Sequence, residues 1–426
     1  MKPILIVGAR VIDPSRGVDR IADVLIVGEK ILAVDPNLTG PDGAERLDAR
    51  GMVVAPGLID LHVHLREPGR EDVETVATGA RAAVAGGFTA VCPMPNTDPV
   101  TDNQAAVGFI VKQAAAAQAA RVYPIGAVSL GSKGEQLAEF GEMVGAGAVA
   151  VSDDGRPVAS AHMMRTALEY ARTFGIPVAN HCEDPSLFKG GVMHEGIVST
   201  RLGLKGIPSA AEEIMVARDI QLAELTGGHV HLCHMSTRGS VELIRRGKER
   251  GVHVTAEVTP HHLSLNHAAV EGYDTNAKMN PPLREPEDVV ALRQGLKEGT
   301  IDVIASDHAP HHYDAKEREF DDAPFGIVGL ETSLGIGLEL VAAGVLTLPE
   351  LILRMSTEPA HVFHLPGGTL APGVPADVVV FDPGATWQVD PARFRSKSRN
   401  SPFGGRTLAG RVLRTIVGGR TVYQGD

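Results

Sequence analysis

Short apolar runs and polar turns alternate along the whole chain, and the character of the alternation changes twice. Residues 1–50 carry brief β-like runs, ILIV, VIDP, DVLIV and KILAVDP, separated by Gly, Pro and Asp; the last sixty or so residues repeat the style in ADVVVFDP, VLRTIVGG and TVYQ. Neither end looks able to fold alone, so the two are expected to pair into one small composite β domain, 1–54 with 366–426. Between them the chain holds eight short apolar strand candidates: Val53–Asp60, Thr89–Pro93, Val122–Val128, Ala146–Asp153, Ile176–His181, His229–His234, Val252–Val258 and Asp302–Ser306. Most are separated by stretches with helical spacing, such as Glu71–Ala85, Asn103–Ala120, Ser160–Phe174 and Ser209–Leu225. Eight alternating β and α units predict a (β/α)8 barrel over 55–365. A doubly wound open sheet is the alternative, and the lack of a Gly-x-Gly-x-x-Gly turn after any strand argues against it. Two connections are long, Glu183 to Pro208 and Pro310 to Gly329. Loops of that length in a compact domain are usually functional, and the second is a candidate lid.

Composition narrows the class. Of the 426 residues, 43% are hydrophobic but only 4% aromatic, so the core must be built from aliphatic side chains, as suits a barrel. A net charge of −12 without any Lys/Arg block argues against a nucleic-acid or anionic-membrane surface. The start, MKPILIVGARVID, turns polar too soon for a signal peptide and no apolar run approaches a membrane span, so a cytoplasmic protein is expected. Three cysteines, Cys92, Cys182 and Cys233, fit no zinc-finger spacing and read as small buried hydrophobes. Seventeen histidines are many, and several cluster.

A barrel places its chemistry where strands end. His62 and His64 follow the first strand, Asp153 and Asp154 end the fourth, His181 ends the fifth, His234 the sixth, and Asp307 follows the eighth. Imidazole and carboxylate without thiolate suit Zn²⁺, with Mn²⁺ or Co²⁺ as alternatives. Because successive strand residues face opposite sides, His62 and His64 can grip one ion together. In the fourth strand the Val149–Val151 face should lie under the helices, which turns Ala148, Ala150, Ser152 and Asp154 inward and leaves Asp153 as a supporting or capping group. His229 and His231 form a second His-x-His, but early in their strand, so His234 is the better candidate. The same phase turns Cys182 and Cys233 away from the metal.

The motifs carry a resemblance. PGLIDLHVHLREPG (Pro56–Gly69), PMPNTDP, SDDG, ANHCED, HLCHMST, EVTPHHL, NPPLR, SDHAPH and PFGIVGLET follow one another in order, and ADVVVFDP closes the chain. Together they resemble the amidohydrolase superfamily in its dihydroorotase form, specifically the longer, bacterial-type class I enzymes. The resemblance implies His62 and His64 on a first zinc, His181 and His234 on a second, Asp154 bridging, and Asp307 as both ligand and catalytic base. Many relatives bridge with a carboxylated lysine; Lys133 sits in the wrong place for that. Some class I members hold one zinc, so one or two ions are expected, two being preferred.

The implied substrate pair is dihydroorotate and N-carbamoyl-aspartate, interconverted in pyrimidine biosynthesis with zinc-activated water as nucleophile and Asp307 moving the proton. A ring bearing a carboxylate needs a cationic, preferably bidentate partner, and Arg66 is two residues past the histidine pair. The resemblance adds His64, Asn96, Asn280, His311 and the backbone at Phe325 and Gly326 as substrate contacts. The rival reading is another cyclic amidase (allantoinase, hydantoinase or dihydropyrimidinase), whose neutral hydantoin and dihydropyrimidine substrates need no carboxylate partner. A third is a non-catalytic subunit of an aspartate transcarbamoylase complex, against which every expected ligand position is filled. A homo-oligomer is expected, and association with aspartate transcarbamoylase stays open.

Overall fold

The architecture comes from a computed structural model that describes residues 1–425. The chain opens with five strands, β1 (Ile4–Asp13), β2 (Val18–Val27), β3 (Lys30–Asp35), β4 (Glu45–Asp48) and β5 (Val53–Pro56). The first two runs of the sequence, ILIV and VIDP, are one strand bent by an irregularity between Ile6 and Ala9, where Gly8 takes φ 72°. Barrel strands follow: β6 (Leu58–Val63), β7 (Phe88–Pro93), β8 (Arg121–Val122), β9 (Ile125–Ala127), β10 (Ala150–Ser152) and β11 (Val178–Asn180). A short parallel pair, β12 (Met193–His194) with β13 (Gly206–Ile207), lies in the first long connection. Then come β14 (Val230–Leu232), β15 (Val254–Val258) and β16 (Val303–Ile304), and finally β17 (Val378–Gln388), β18 (Thr407–Val417) and β19 (Arg420–Gln424).

Strands from the two ends share one sheet, ordered β19-β18-β17-β5-β1-β2-β3 with β4 beside β1. Its inner face buries Ile6, Val24, Ile31, Val54, Val378 and Ile416 together. The other strands are parallel and run β6-β7-β8 and β9-β10-β11-β14-β15-β16. β8 and β9 are two halves of one strand, interrupted at Tyr123–Pro124, where proline supplies no amide to the ladder. A parallel bridge from Val63 to His308, with the His64 amide donating to the His308 carbonyl at 2.8 Å, joins the eighth strand to the first. The result is a (β/α)8 barrel with a β domain attached, as the alternation implied.

Several strands are shorter than the sequence runs. The run Val53–Asp60 splits at Gly57, where the chain passes from the small sheet to the barrel. A Cβ there would sit 2.1 Å from the Thr89 side chain, so only glycine permits the crossing. The run from Ala146 becomes a strand only at Ala150, because the helix Phe140–Gly145 reaches Ala146 and Gly147 turns with φ 115°. The predicted phase therefore fails before that point: Ala148 packs in the outer layer and Val149 against the interior, while Ala150 faces inward and Val151 outward. The helices start later than the apolar spacing suggested, at Val76 behind a Thr75 cap and at Gln104 behind an Asn103 cap.

The barrel interior is aliphatic and small, with Ile59, Leu61, Ala90, Cys92, Ile125, Ala150, Ala179, Val303 and Ala305 above a floor that includes Phe363 and Leu365. Small side chains near the strand ends leave room for polar groups at the mouth. Among the described residues no helix is long and apolar enough to cross a membrane.

Candidate active site

Five strand ends deliver imidazoles and carboxylates to one point at the mouth. The two Asp154 oxygens face different histidine pairs. Oδ2 lies 3.4 Å from His62 Nε2 and 3.6 Å from His64 Nε2, while Oδ1 lies 3.3 Å from His234 Nε2 and 3.5 Å from His181 Nδ1. Asp307 Oδ1 stands 3.0 Å from His64 Nε2 and 3.5 Å from His62 Nε2. Ligand atoms of His62, His64 and Asp307 lie within 4.8 Å of one another, and so do those of Asp154, His181 and His234. All six residues are buried. Asp153 turns away to accept the backbone amides of Val128 and Ser129, at 2.9 and 3.0 Å.

Packing so many polar groups in a dry site is costly unless each finds a counterpart. Burial disfavours charge on His62, yet Asp154, Glu257 and Asp307 overcome it and raise its pKa. Burial likewise works against the Asp154 and Asp307 carboxylates, and the surrounding histidines bring both below the ordinary carboxylate range. The cluster is thus held in a form with anionic oxygens turned toward imidazole nitrogens. His62 Nε2 is buried without a hydrogen bond, the state of a ligand nitrogen whose partner is a cation.

The backbone at this mouth is unusual as well. Arg66, His234 and Asp307 adopt positive φ values of 62°, 39° and 45°, which non-glycine residues rarely accept. At His234 the turn breaks strand alternation and corrects one sequence expectation. Cys233 does not turn away: it faces the interior beneath the cluster, in reach of His62 and Asp154. Burial raises its thiol well above the ordinary range, so it is held neutral. Cys182 does point outward, 3.5 Å from Asp219 Oδ2.

Two carboxylates inside the motifs, beyond the ligand candidates, prove central. Glu257 receives His62 Nδ1 at 2.5 Å and His231 Nε2 at 3.1 Å, and it also accepts the His234 amide at 3.2 Å. Glu183 stands 3.3 Å from His181 Nε2 and accepts Asn280 Nδ2 at 3.2 Å. Strand phase could have found the first, because Glu257 is two residues from Thr255, the partner of His229 and His231. Glu183 likewise lies two residues past His181. Such carboxylates fix the tautomer and orientation of metal-binding imidazoles.

The same mouth opens into a cavity of about 310 Å³ lined by His64, Arg66, Asn96, Asn280, His311, Phe325 and Gly326 beside Asp154, His181, His234 and Asp307. Burial lowers the Arg66 guanidinium only to about 10, so it is cationic at neutral pH, and its Nε donates to the Pro310 carbonyl at 3.2 Å. Asn96 Oδ1 takes His64 Nδ1 at 2.9 Å. Asn280 Oδ1 is buried without a partner. His311 is pushed down to about 2, by burial first and then by Arg66 and Lys316, and its Nε2 donates to the Phe325 carbonyl at 2.7 Å. The Gly326 amide is taken by the Lys278 carbonyl at 3.0 Å and its carbonyl by Asn400 Nδ2 at 3.0 Å. What Gly326 offers is clearance, since a Cβ would meet the Ala309 carbonyl at 2.7 Å and His311 Nε2 at 2.8 Å.

A family model described as dihydro-orotase-like matches residues 51–240, which span the strands of both histidine pairs. A dihydroorotase of Anaeromyxobacter dehalogenans (strain 2CP-1 / ATCC BAA-258) is 57% identical over 425 residues, 99% of this chain and 98% of the relative. The chain belongs to the dihydroorotase family. Dihydroorotases of Pelotomaculum thermopropionicum and Geobacter metallireducens are 58% and 54% identical, each over 99% of this chain, covering 98% and 99% of their own lengths. Among solved structures, an L-hydantoinase from Arthrobacter aurescens superposes with a TM-score of 0.89 at 25% identity, over 100% of this chain and 96% of its own. A D-hydantoinase from Thermus sp. gives 0.81 at 25%, over 99% and 95%. The chain is therefore an amidohydrolase-type enzyme acting on a cyclic amide, and the dihydroorotase family implies a metal cofactor. The donor set fits one: two groups of three buried nitrogen and oxygen ligands share a site, with an unpartnered His62 Nε2 between carboxylates. A separate grouping, His194, His267 and Glu285, lies elsewhere. There the Arg284 guanidinium donates to His194 Nδ1 at 3.2 Å, so a cation already occupies the neighbourhood.

Proposed function

We propose that the chain interconverts dihydroorotate and N-carbamoyl-aspartate at a site built for two zinc ions. His62 and His64 would hold one ion and His181 and His234 the other, with Asp154 shared and Asp307 completing the first. The observation that carries the substrate is Arg66, a cation in the same 310 Å³ cavity as the carboxylate–imidazole cluster. A neutral cyclic amide would bring that guanidinium no anionic partner beyond the carboxylates already near it, whereas the ring carboxylate of dihydroorotate pairs with it.

Zinc bound there would supply Lewis acidity that lowers the pKa of water toward neutrality and draws charge from a carbonyl oxygen. The remaining work belongs to the chain. Arg66, with Asn96 and the neutral His311, holds the carboxylate end of the ring. The unpartnered Asn280 Oδ1 accepts a ring N–H. Asp307, kept ionised by its histidines, takes the proton of the attacking water. As the carbonyl carbon gains oxygen and loses nitrogen, Asp307 returns that proton to the departing nitrogen. Ring closure runs the same transfers backwards. Glu183 and Glu257 keep His181 and His62 oriented throughout. Steady-state rates on dihydroorotate, allantoin, hydantoin and dihydrouracil test the reading. Dihydroorotate should be the preferred substrate by a wide margin, and comparable turnover of a neutral ring would reassign the chain to the hydantoinase-like amidases. In domain terms, we propose the division 1–54 with 366–426 against 55–365, supported by the separate buried cluster of the end strands, with β5 carrying the small sheet on to Pro56.

A further inference from the structure

After β17 the chain does not stay with the small domain. Residues 395–401 return to the barrel mouth as a strap. The Arg395 and Ser396 amides donate to Glu331 Oε1 at 2.7 and 3.2 Å, Ser396 Oγ reaches Glu74, and Ser398 Oγ donates to the Val73 carbonyl at 2.9 Å. The strap ends on Asn400, which is 3% exposed. Its Nδ2 donates to the Ala309 carbonyl at 2.9 Å and to the Gly326 carbonyl at 3.0 Å, and its Oδ1 accepts the His311 amide at 3.1 Å. The Asn400 carbonyl also takes the Val328 amide at 2.9 Å. One carboxamide thus clasps both limbs of the 310–329 loop at its base, using both of its donor hydrogens and its acceptor.

The loop groups in that clasp are those that shape the cavity. His311 hangs on the amide that Asn400 accepts, Gly326 on the carbonyl that it donates to, and Arg66 leans on Pro310 between the two clasped residues 309 and 311. We propose that Asn400 is a positioning residue for the reaction, setting His311, Gly326 and, through Pro310, Arg66 against the substrate. It touches neither the metal-binding side chains nor the substrate cavity, so its effect reaches the ring only through the loop. The proposal rests on the substrate-binding reading of that cavity. The carboxamide is specific to the task. An aspartate would set a carboxylate against two carbonyl oxygens, and an apolar residue would strand two buried carbonyls and the half-buried His311 amide.

The test uses the full metal-loaded chain as Asn400→Asp and Asn400→Ser, with Ser398→Ala as a strap control that has no bond to the loop. Both Asn400 variants should keep wild-type metal content and raise KM for dihydroorotate about tenfold or more, with kcat changed less than about threefold. Amide exchange should accelerate in peptides covering 309–311 and 326–328 and nowhere in the barrel strands. Ser398→Ala should keep a wild-type KM. A folded Asn400 variant with wild-type KM and wild-type exchange in those peptides overturns the proposal, as does an equal KM rise in Ser398→Ala. If one variant fails to fold, the other and the exchange data still decide. Should the wild type refuse dihydroorotate, the substrate reading fails on its own, and the same KM and exchange comparison is made on whichever cyclic amide it hydrolyses.

Discussion

Asp307 shows what a single residue does here. It stands 3.0 Å from His64 and is held ionised by three imidazoles, so it is poised to accept and return a proton. Asp307→Asn keeps shape and loses the shuttle. The expected result is a kcat loss of roughly 10²–10⁴-fold, with most metal retained because His62, His64, Asp154, His181 and His234 remain. Rate and metal analysis on one preparation check this; near-normal turnover at full metal would make another group the base. Glu257 acts one step removed. Glu257→Gln weakens its hold on His62 Nδ1 and should lower metal affinity about 10–100-fold, read by competition with a chelator. Unchanged affinity would mean that His62 needs no carboxylate behind it. The sequence pointed to the ligand candidates because they stand at strand ends. Phase puts Glu257 two residues from Thr255 and Glu183 two from His181, the imidazole it supports, but the hold of Glu257 on His62 is set by a contact between different strands. The sequence misplaced Cys233 because the positive φ of His234 breaks the alternation on which that reading relied.

Among the elements, the strap at 395–401 shows how a loop near the site is anchored. Burial pushes the Glu331 carboxyl up to about 7, against the pull of the two strap amides. A folded pKa raised above the unfolded value means that the folded state binds the extra proton between the two. The associated stability is therefore full below the unfolded value and is lost as pH rises through about 7. Glu331→Gln mimics the protonated form and escapes this loss. Its Tm advantage over the wild type should grow by about 1–2 °C between pH 5 and pH 8, an effect kept small by the solvent that reaches this side chain. An advantage that shrinks over that range would give the shift the opposite sign. Element existence was legible from periodicity, whereas element ends were not. β5 and β6 read as one strand because apolar residues continue on both sides of Pro56-Gly57, the pair at which the chain changes sheets. β10 starts late because the preceding helix claims Ala146 as its cap.

At the scale of the whole molecule, the two chain ends share a sheet and the C-terminal strap reaches the mouth of the barrel, so the site is completed by residues far apart in sequence. β17 pairs with β5, and the Thr415 hydroxyl donates to the Val84 carbonyl at 2.7 Å, tying the end strands to the first barrel helix. Removing residues from 378 onward would expose the β5 edge and the apolar faces of β1 and β5, and should give aggregated chain without the near-ultraviolet signal of fixed packing. A soluble, cooperatively unfolding barrel from that truncation would contradict the packing described. The barrel class could be read in advance because eight β and α units repeat. The strap could not, since its polar run carries no period and its hydrogen-bond partners lie in other parts of the chain.

The most direct test of the account is the ratio of kcat/KM for dihydroorotate to that for dihydrouracil, measured for the wild type and for Arg66→Met at equal metal content. The account predicts a strong preference for the carboxylated ring in the wild type. In the variant, dihydroorotate should lose on the order of 10²-fold or more while dihydrouracil changes little, so that the preference collapses. A preference that survives the loss of the guanidinium, or a wild type that turns over both rings equally, would contradict it.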